Sequence, residues 1–409
     1  MYRGSDVSAD ADVLILGASM AGIEVLHQLR RSDVGRRLQV TLVDRQREHP
    51  YIPLIHERLC SRIGEAESTL PTEQDIAGDP RASLRQGEIV GFDPEAREVT
   101  LADGARLRGR FVVVALGSVI TPPTSLPGWE RAHACKAAEA SARAQEALRA
   151  CLAGDGDPPA IVVVGGGISG VEMAGELAHL ARARPAGWRA PRVSLVHGGA
   201  RLLPHMSERA SRRSLDHLQA QGVEVRLRAR VRAIEADAVV VDGEAGEVRL
   251  PAALVFWGGG VRPSPILAEL GLPRTPDGWL AVGPTLQCFP SPRPTRPEVF
   301  ACGDAARVIG GDGEWPTMQR AIECLWQAKV VARGIAALAA EPADFPRGVP
   351  PVDPHVLRRD FFHGVSLGAR SLIVYGGLVV DVPALGVWFR RFLMRRYFAR
   401  YAASGPAGR

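Results

Sequence analysis

The chain has 409 residues, 46% hydrophobic and 23% charged, ordinary values for a globular chain that buries large cores. At roughly 150 residues per domain, two or three domains are expected, and disorder, collagen, coiled coil and a disulfide-stapled small fold are excluded. The net charge of +5 is uneven: residues 382–409 hold six arginines and no acid, which leaves −1 for the remainder. A near-neutral body argues against nucleic-acid binding over the main surface.

No apolar run reaches the roughly 18 residues that a membrane span needs, and the polar first twelve residues lack a signal-peptide core. The expected location is therefore cytoplasmic. Cysteines stand at 60, 135, 151, 288, 302 and 324 with no CxxC spacing, so neither a redox disulfide nor a zinc knuckle is written here. No metal site is expected. Of the 50 basic residues only Lys136 and Lys329 are lysines, which reads as codon bias.

In chain order, the organising feature is a repeat. Residues 12–22 read DVLILGASMAG and residues 160–170 read AIVVVGGGISG; Gly17 and Gly165 are 148 positions apart. Each is a short β-branched strand entering a glycine-rich turn and then a helical pattern, expected over 23–31 and 171–183. A second strand follows each helix, at 38–44 and 192–197. These are βαβ units, so the sheets should be parallel with right-handed crossovers. Between the copies, 88–93 and 98–101 read as a hairpin, 110–116 as a buried strand ending at Gly117, and 121–128 as a Pro-rich linker. After the second copy come a strand at 253–257, the cluster Gly258–Gly260, a linker at 284–297, a helix over 316–340 and a Pro-rich stretch at 342–354. The last 55 residues read as a separate piece.

A glycine-rich turn between strand and helix lets a pyrophosphate approach the backbone, and the helix N-terminus supplies N–H donors. The first turn carries Gly17, Ser19, Met20, Ala21 and Gly22, with Ser19 in place of the middle glycine. Asp44 follows Gly22 by 22 residues, where a carboxylate hydrogen-bonds a ribose diol; Arg45 is next. The second turn has Gly165, Gly167 and Gly170 around Ile168 and Ser169. Its second strand ends at His197 rather than an acid, with Arg201 close behind. A neutral histidine still donates to a ribose hydroxyl, and loss of the acid admits a 2′-phosphate that Arg201 could pair. NADH and NADPH both stay open, NADH first.

The stretches GASMAG (17–22), VVVALG (112–117), GGGISGVEMAGEL (165–177), LVFWGGGVRPSP (254–265) and VFACGDAA (299–306) come in an order and spacing covering most of residues 12–340. On these the chain resembles the flavoproteins of the pyridine nucleotide–disulfide oxidoreductase superfamily, and within it the type II NADH:quinone oxidoreductases. The fold implied is α/β, with two Rossmann-like dinucleotide-binding domains. An FAD-binding domain (1–122 and 284–345) is split by an inserted NAD(P)-binding domain (123–283), and a C-terminal membrane-surface or dimer segment follows (346–409). The resemblance implies FAD contacts at Gly303 and Asp304, the latter holding the ribityl chain. It places Ala115, Leu116 and Gly117 beside FAD and the Ile89 backbone at adenine. It assigns Gly260 to cofactor binding and gives Glu172, in the first turn of the second helix, a catalytic place facing nicotinamide and flavin. A carboxylate there can also simply favour the helix N-terminus.

Departures bear on the chemistry. The disulfide reductases of the superfamily carry a CxxxxC pair where Cys60 stands alone, so an inert Cys60 is expected and dithiol or sulfide chemistry is not. The family's AQxAxQ stretch aligns with 318–323, where Gln319 and Ala321 match but Met318 and Glu323 do not. Gln319 is the second catalytic candidate, and the changed stretch permits a different acceptor. The segment 383–401 mixes aromatic residues with five arginines and gives no clean apolar face, so either a membrane surface on the inner face or a protein contact, including a homodimer, fits it. The reading is hydride transfer from NAD(P)H to FAD, then electrons to a quinone. The alternatives are an oxidoreductase acting on a quinone-like or aromatic small molecule, and a non-catalytic redox-responsive binding protein like apoptosis-inducing factor.

Overall fold

The computed structural model describes residues 10–402 except 71, 244–245, 289–297, 311–312, 316–320, 341–351, 357–361 and 384. The repeat seen in the sequence is a repeat of topology. In the first half, strands Ala82–Gln86, Val40–Asp44, Ala11–Leu16 and Arg106–Val114 lie side by side in parallel register. In the second, Glu224–Arg226, Arg192–Val196, Ala160–Val164 and Leu254–Trp257 take the same order, with Ala132–His133 at the far edge. Parallel strands covered on both faces must be apolar throughout, which is why VLIL, FVVV, IVVV and LVF are runs rather than alternations.

Strand Val299–Ala301 settles where the second half sits in the chain. It pairs in parallel with Val112–Val114, on the side of that strand away from Ala11–Leu16. A strand that follows the second βαβ unit in sequence thus completes the sheet of the first. Its turn, Gly303–Ala305, emerges at the same end as the Gly17 turn: a Cβ on Gly303 would lie 2.9 Å from the Ala21 Cβ. Ser118–Val119 and Arg262–Pro263 pair antiparallel and tie the two crossings between halves together.

Several boundaries differ from expectation. The turn helices begin earlier, at Met20 and Ile168, because the glycine turns themselves enter helical conformation. Glu172 is therefore the fifth residue of its helix, and the first turn carries no acid. The helix expected over 316–340 is described as Ala321–Ala340.

The C-terminal residues do not stand apart. Strands His363–Ser366, Arg370–Tyr375 and Leu378–Pro383 form an antiparallel sheet whose buried Val365, Leu367 and Leu372 share a core with helix Ile168–Ala183. The approach is close enough that a Cβ on Gly175 would sit 2.8 Å from Leu367 Cα. Helix Leu385–Ala402 then crosses back to the first half. There Met394 packs with Leu54 and Ile63, and Tyr51 meets the edge of Phe398 at 5.2 Å.

Candidate active site

The two glycine turns have one geometry. Gly17 has φ +107° and Gly165 φ +112°, the region L side chains avoid. A Cβ on Gly22 would lie 1.8 Å from Gly17 O, and one on Gly170 1.7 Å from Gly165 O. Neither N-cap, Ser19 or Gly167, bonds a helix N–H through a side chain. Backbone donors at both helix starts are thus left for an anion. Met20 and Ala21 open the first helix and are buried; Ile168 and Ser169 open the second, Ile168 resting on the core and Ser169 facing a cavity.

At the end of its strand Asp44 accepts from the N–H groups of Ala18 (2.8 Å) and Gln46 (2.9 Å), and His49 Nε2 lies 3.1 Å from its Oδ2. Burial works against the charge, but His49 and these donors prevail and hold the carboxyl below its ordinary range. Arg45 is exposed. The Gly87 N–H donates to Asp44 O, which brings the loop leading into Ile89 beside this carboxylate. Ala115 closes the turn from the next strand: its N–H donates to Leu16 O, and its own oxygen would lie 2.5 Å from a Gly17 Cβ. Leu116 packs on the core and Gly117 turns at φ +66°.

Asp304 faces this half from the returning turn. Ser118 Oγ donates to its Oδ2 at 2.8 Å, and the Lys136 ammonium bonds both groups. Gly303 N donates to Gln327 Oε1 at 2.6 Å, while Gln327 Nε2 is buried with no partner among the described residues. Ala321 opens that helix. Gln319 lies outside the described residues. Glu323 bonds His355 Nε2 through one oxygen; the other is buried and has no partner among the described residues.

In the second half His197 stands where Asp44 stands in the first. Its ring covers Gly166, where a Cβ would meet it at 2.5 Å. Burial lowers the imidazole's pKa, and a bond to the Arg201 backbone opposes this in part. The Arg201 guanidinium donates to Met206 O (2.9 Å) and Pro204 O (2.5 Å). Gly260 is exposed at φ +106° beyond the Trp257 strand.

A mostly apolar cavity lies where the halves face each other, walled by Ile52 and His56 of the first, Ser169, Met173 and Trp257 of the second, and Lys136 between. Glu172 stands just behind this wall. Its Oε1 accepts from Ser366 N at 2.9 Å and its Oε2 lies 3.3 Å from His56 Nδ1. One helical turn on, the fully buried Glu176 pairs with Arg62 and accepts from Ser366 Oγ at 2.9 Å. Two buried thiols lie nearby. Burial first, then Glu176, drives the Cys60 pKa well up, and burial pushes Cys135 up to about 12. Among the described residues no group of three His, Cys, Asp or Glu is placed to hold a metal.

Sequence reasoning missed His56, Lys136, Ser118, Gln327 and Ser366. Lys136 left one signal: it is one of two lysines among 50 basic residues.

The profile of the pyridine nucleotide-disulphide oxidoreductases matches residues 11–328. The chain belongs to this family. It is similar to a type II NADH:quinone oxidoreductase of Haemophilus influenzae, 27% identical over 369 residues and 80% of each chain. It is also similar to the demethylphylloquinone reductase NdbB of a Synechocystis strain, 26% identical over 299 residues, 70% of this chain and 71% of the relative. Its fold matches that of NDH2 from Plasmodium falciparum, solved with NADH, at a TM-score of 0.79, with 14% identity and 98% and 99% of the two chains covered. The paired halves and the cavity between them are thus those of an oxidoreductase fold.

Proposed function

We propose that the protein is an FAD-dependent NADH:quinone oxidoreductase, with residues 1–122 and 284–345 binding FAD, 123–283 binding the nicotinamide dinucleotide and 346–409 a C-terminal segment. The observation that carries this is one apolar cavity lined by Ser169 and Gly170 of the second cradle and by Ile52 and His56 of the first half, with Lys136 on its wall bonded to Asp304. The residues of the first half fit FAD. A cradle that any Cβ would fill would hold the pyrophosphate, Asp44 the adenosine ribose, and Asp304 with the Gln327 amide the polar chain between phosphate and ring. Bound flavin would supply the hydride and electron chemistry. The chain's own share is position and exclusion of water. Ser169 and Gly170 set the depth of the nicotinamide half, Trp257 and Met173 dry the wall, and Lys136 balances the Asp304 charge.

The acceptor is proposed as a quinone, in keeping with the relatives' names. Helix Leu385–Ala402 offers a place to reach one from a bilayer. Its inner face is anchored, with Arg391 donating to Glu57 at 2.8 Å, while Trp388 and Phe392 stack at 5.5 Å on the outer side and are 62% and 43% exposed. Among the described residues no helix is long and apolar enough to cross a membrane, so contact would be peripheral. Deleting 383–409 should lower sedimentation with anionic liposomes; equal sedimentation rejects the membrane contact.

The test of function is anaerobic stopped-flow at the flavin's visible absorbance, mixing with NADH or NADPH and then a menaquinone analogue. Fast bleaching by NADH and fast recovery with the quinone are expected. Fast bleaching with slow recovery would retain the donor and reject the acceptor. No bleaching by either nucleotide would reject the enzyme reading.

A further inference from the structure

The cavity wall holds a histidine that the glycine turns do not explain. His56 sits in the short helix Ile55–Leu59, is 7% exposed and lines the cavity. Its Nδ1 lies 3.3 Å from Glu172 Oε2. An ionised carboxylate only accepts, so contact with it places a proton on Nδ1; in the neutral imidazole Nε2 is then the lone-pair acceptor. Glu172 is itself fixed by the Ser366 N–H. Nε2 has no partner among the described residues.

The surrounding charges are committed elsewhere. Lys136, across the cavity, is bound to Asp304 and Ser118. On the histidine's own helix, Glu57 turns to Arg391 and Arg58 to Glu65 and Thr69. Glu176, a turn beyond Glu172, is paired with Arg62. The charge in contact with His56 is thus the anionic Glu172.

We propose that His56 is the specificity-determining residue of the nicotinamide pocket, accepting an N–H from the ring's carboxamide. A neutral acceptor backed by a carboxylate favours an amide and disfavours an acid at the same position. The pocket therefore takes nicotinamide dinucleotides and rejects those whose ring carries a carboxylate. This rests on the nicotinamide reading above and names the group that reads the ring.

The test is calorimetric titration of the FAD-loaded protein with NAD+ and with nicotinic acid adenine dinucleotide. Wild type should bind NAD+ about 10- to 100-fold more tightly, the range for one lost hydrogen bond that leaves a buried polar group unpaired. His56→Phe should bring the two within about threefold, with flavin content and visible spectrum unchanged, while His56→Gln, whose side-chain oxygen still accepts, retains part of the preference. If His56→Phe does not fold, His56→Asn, too short to reach, takes its place. A variant with a native flavin spectrum and the wild-type preference overturns the proposal. So does a shifted flavin spectrum with the preference intact, which would mean His56 meets the flavin. Wild type that binds neither nucleotide overturns the nicotinamide reading, and the proposal with it.

Discussion

The two halves share a backbone and differ in what finishes it. Both Gly17 and Gly165 donate to the neighbouring strand at 2.8 Å, at Val43 O and Val196 O, and both turns exclude a Cβ at the third glycine. Beyond that they diverge. The first ends in an ionised Asp44 and is closed by residues from the far end of the family match, Asp304 and Gln327. The second ends in His197 folded over Gly166 and is backed by the C-terminal sheet through Ser366. A βαβ cradle is thus generic for a pyrophosphate, and identity comes from side chains at its rim and from the elements that close it.

Breaking each cradle in turn gives the largest effect. Gly22→Ala should yield protein without flavin, and Gly170→Ala should yield yellow protein that NADH does not bleach, read by the ratio of visible to ultraviolet absorbance and by stopped-flow. Flavin lost from Gly170→Ala and kept by Gly22→Ala would reverse the assignment of halves. Next comes the junction between them. Glu176→Ala leaves Arg62 facing a buried void and should cost about 3–5 kcal/mol in denaturant unfolding, as for breaking a buried ion pair; a loss under about 1 kcal/mol would show that the junction does not hold the halves together.

Smaller effects sharpen the difference at the rims. Asp304→Asn should weaken FAD binding about tenfold by removing a charge-assisted partner, with NAD+ affinity unchanged in reconstituted protein. His197→Glu should raise the NADH-to-NADPH ratio of kcat/KM about three- to tenfold, restoring a carboxylate that repels a 2′-phosphate; an unchanged or reversed ratio defeats the ribose assignment. One effect is common to both halves. Burial pushes Cys135, Cys288 and Cys302 from 9.0 up to about 12. The unfolded thiols release protons first, so stability should hold below about pH 9 and fall as pH rises from there toward 12, up to about 1.4 kcal/mol per unit for each thiol. A flat melting profile over that window would show that the thiols are not buried.

What the sequence by itself determined was local and periodic. The apolar runs of the parallel strands, the glycines at 17, 22, 165 and 170 and the acid at 44 act within one βαβ unit, so spacing alone exposes them. Motif order placed Gly303 and Asp304 with the first half, and pairing of Val299–Ala301 with Val112–Val114 gives the reason. What only the tertiary structure decided was long-range. His56 meets Glu172, Lys136 meets Asp304, and Ser366 meets Glu172 and Glu176, each across more than 100 residues of chain. No periodicity records such pairs, because each partner's residue type suits an ordinary surface or helix position until the fold brings them together. The C-terminal segment shows the same limit. Its arginines scatter when it is read as an isolated helix. In the fold, Arg391 reaches the buried Glu57, because burial against another element, rather than helical period, decides which charge faces inward.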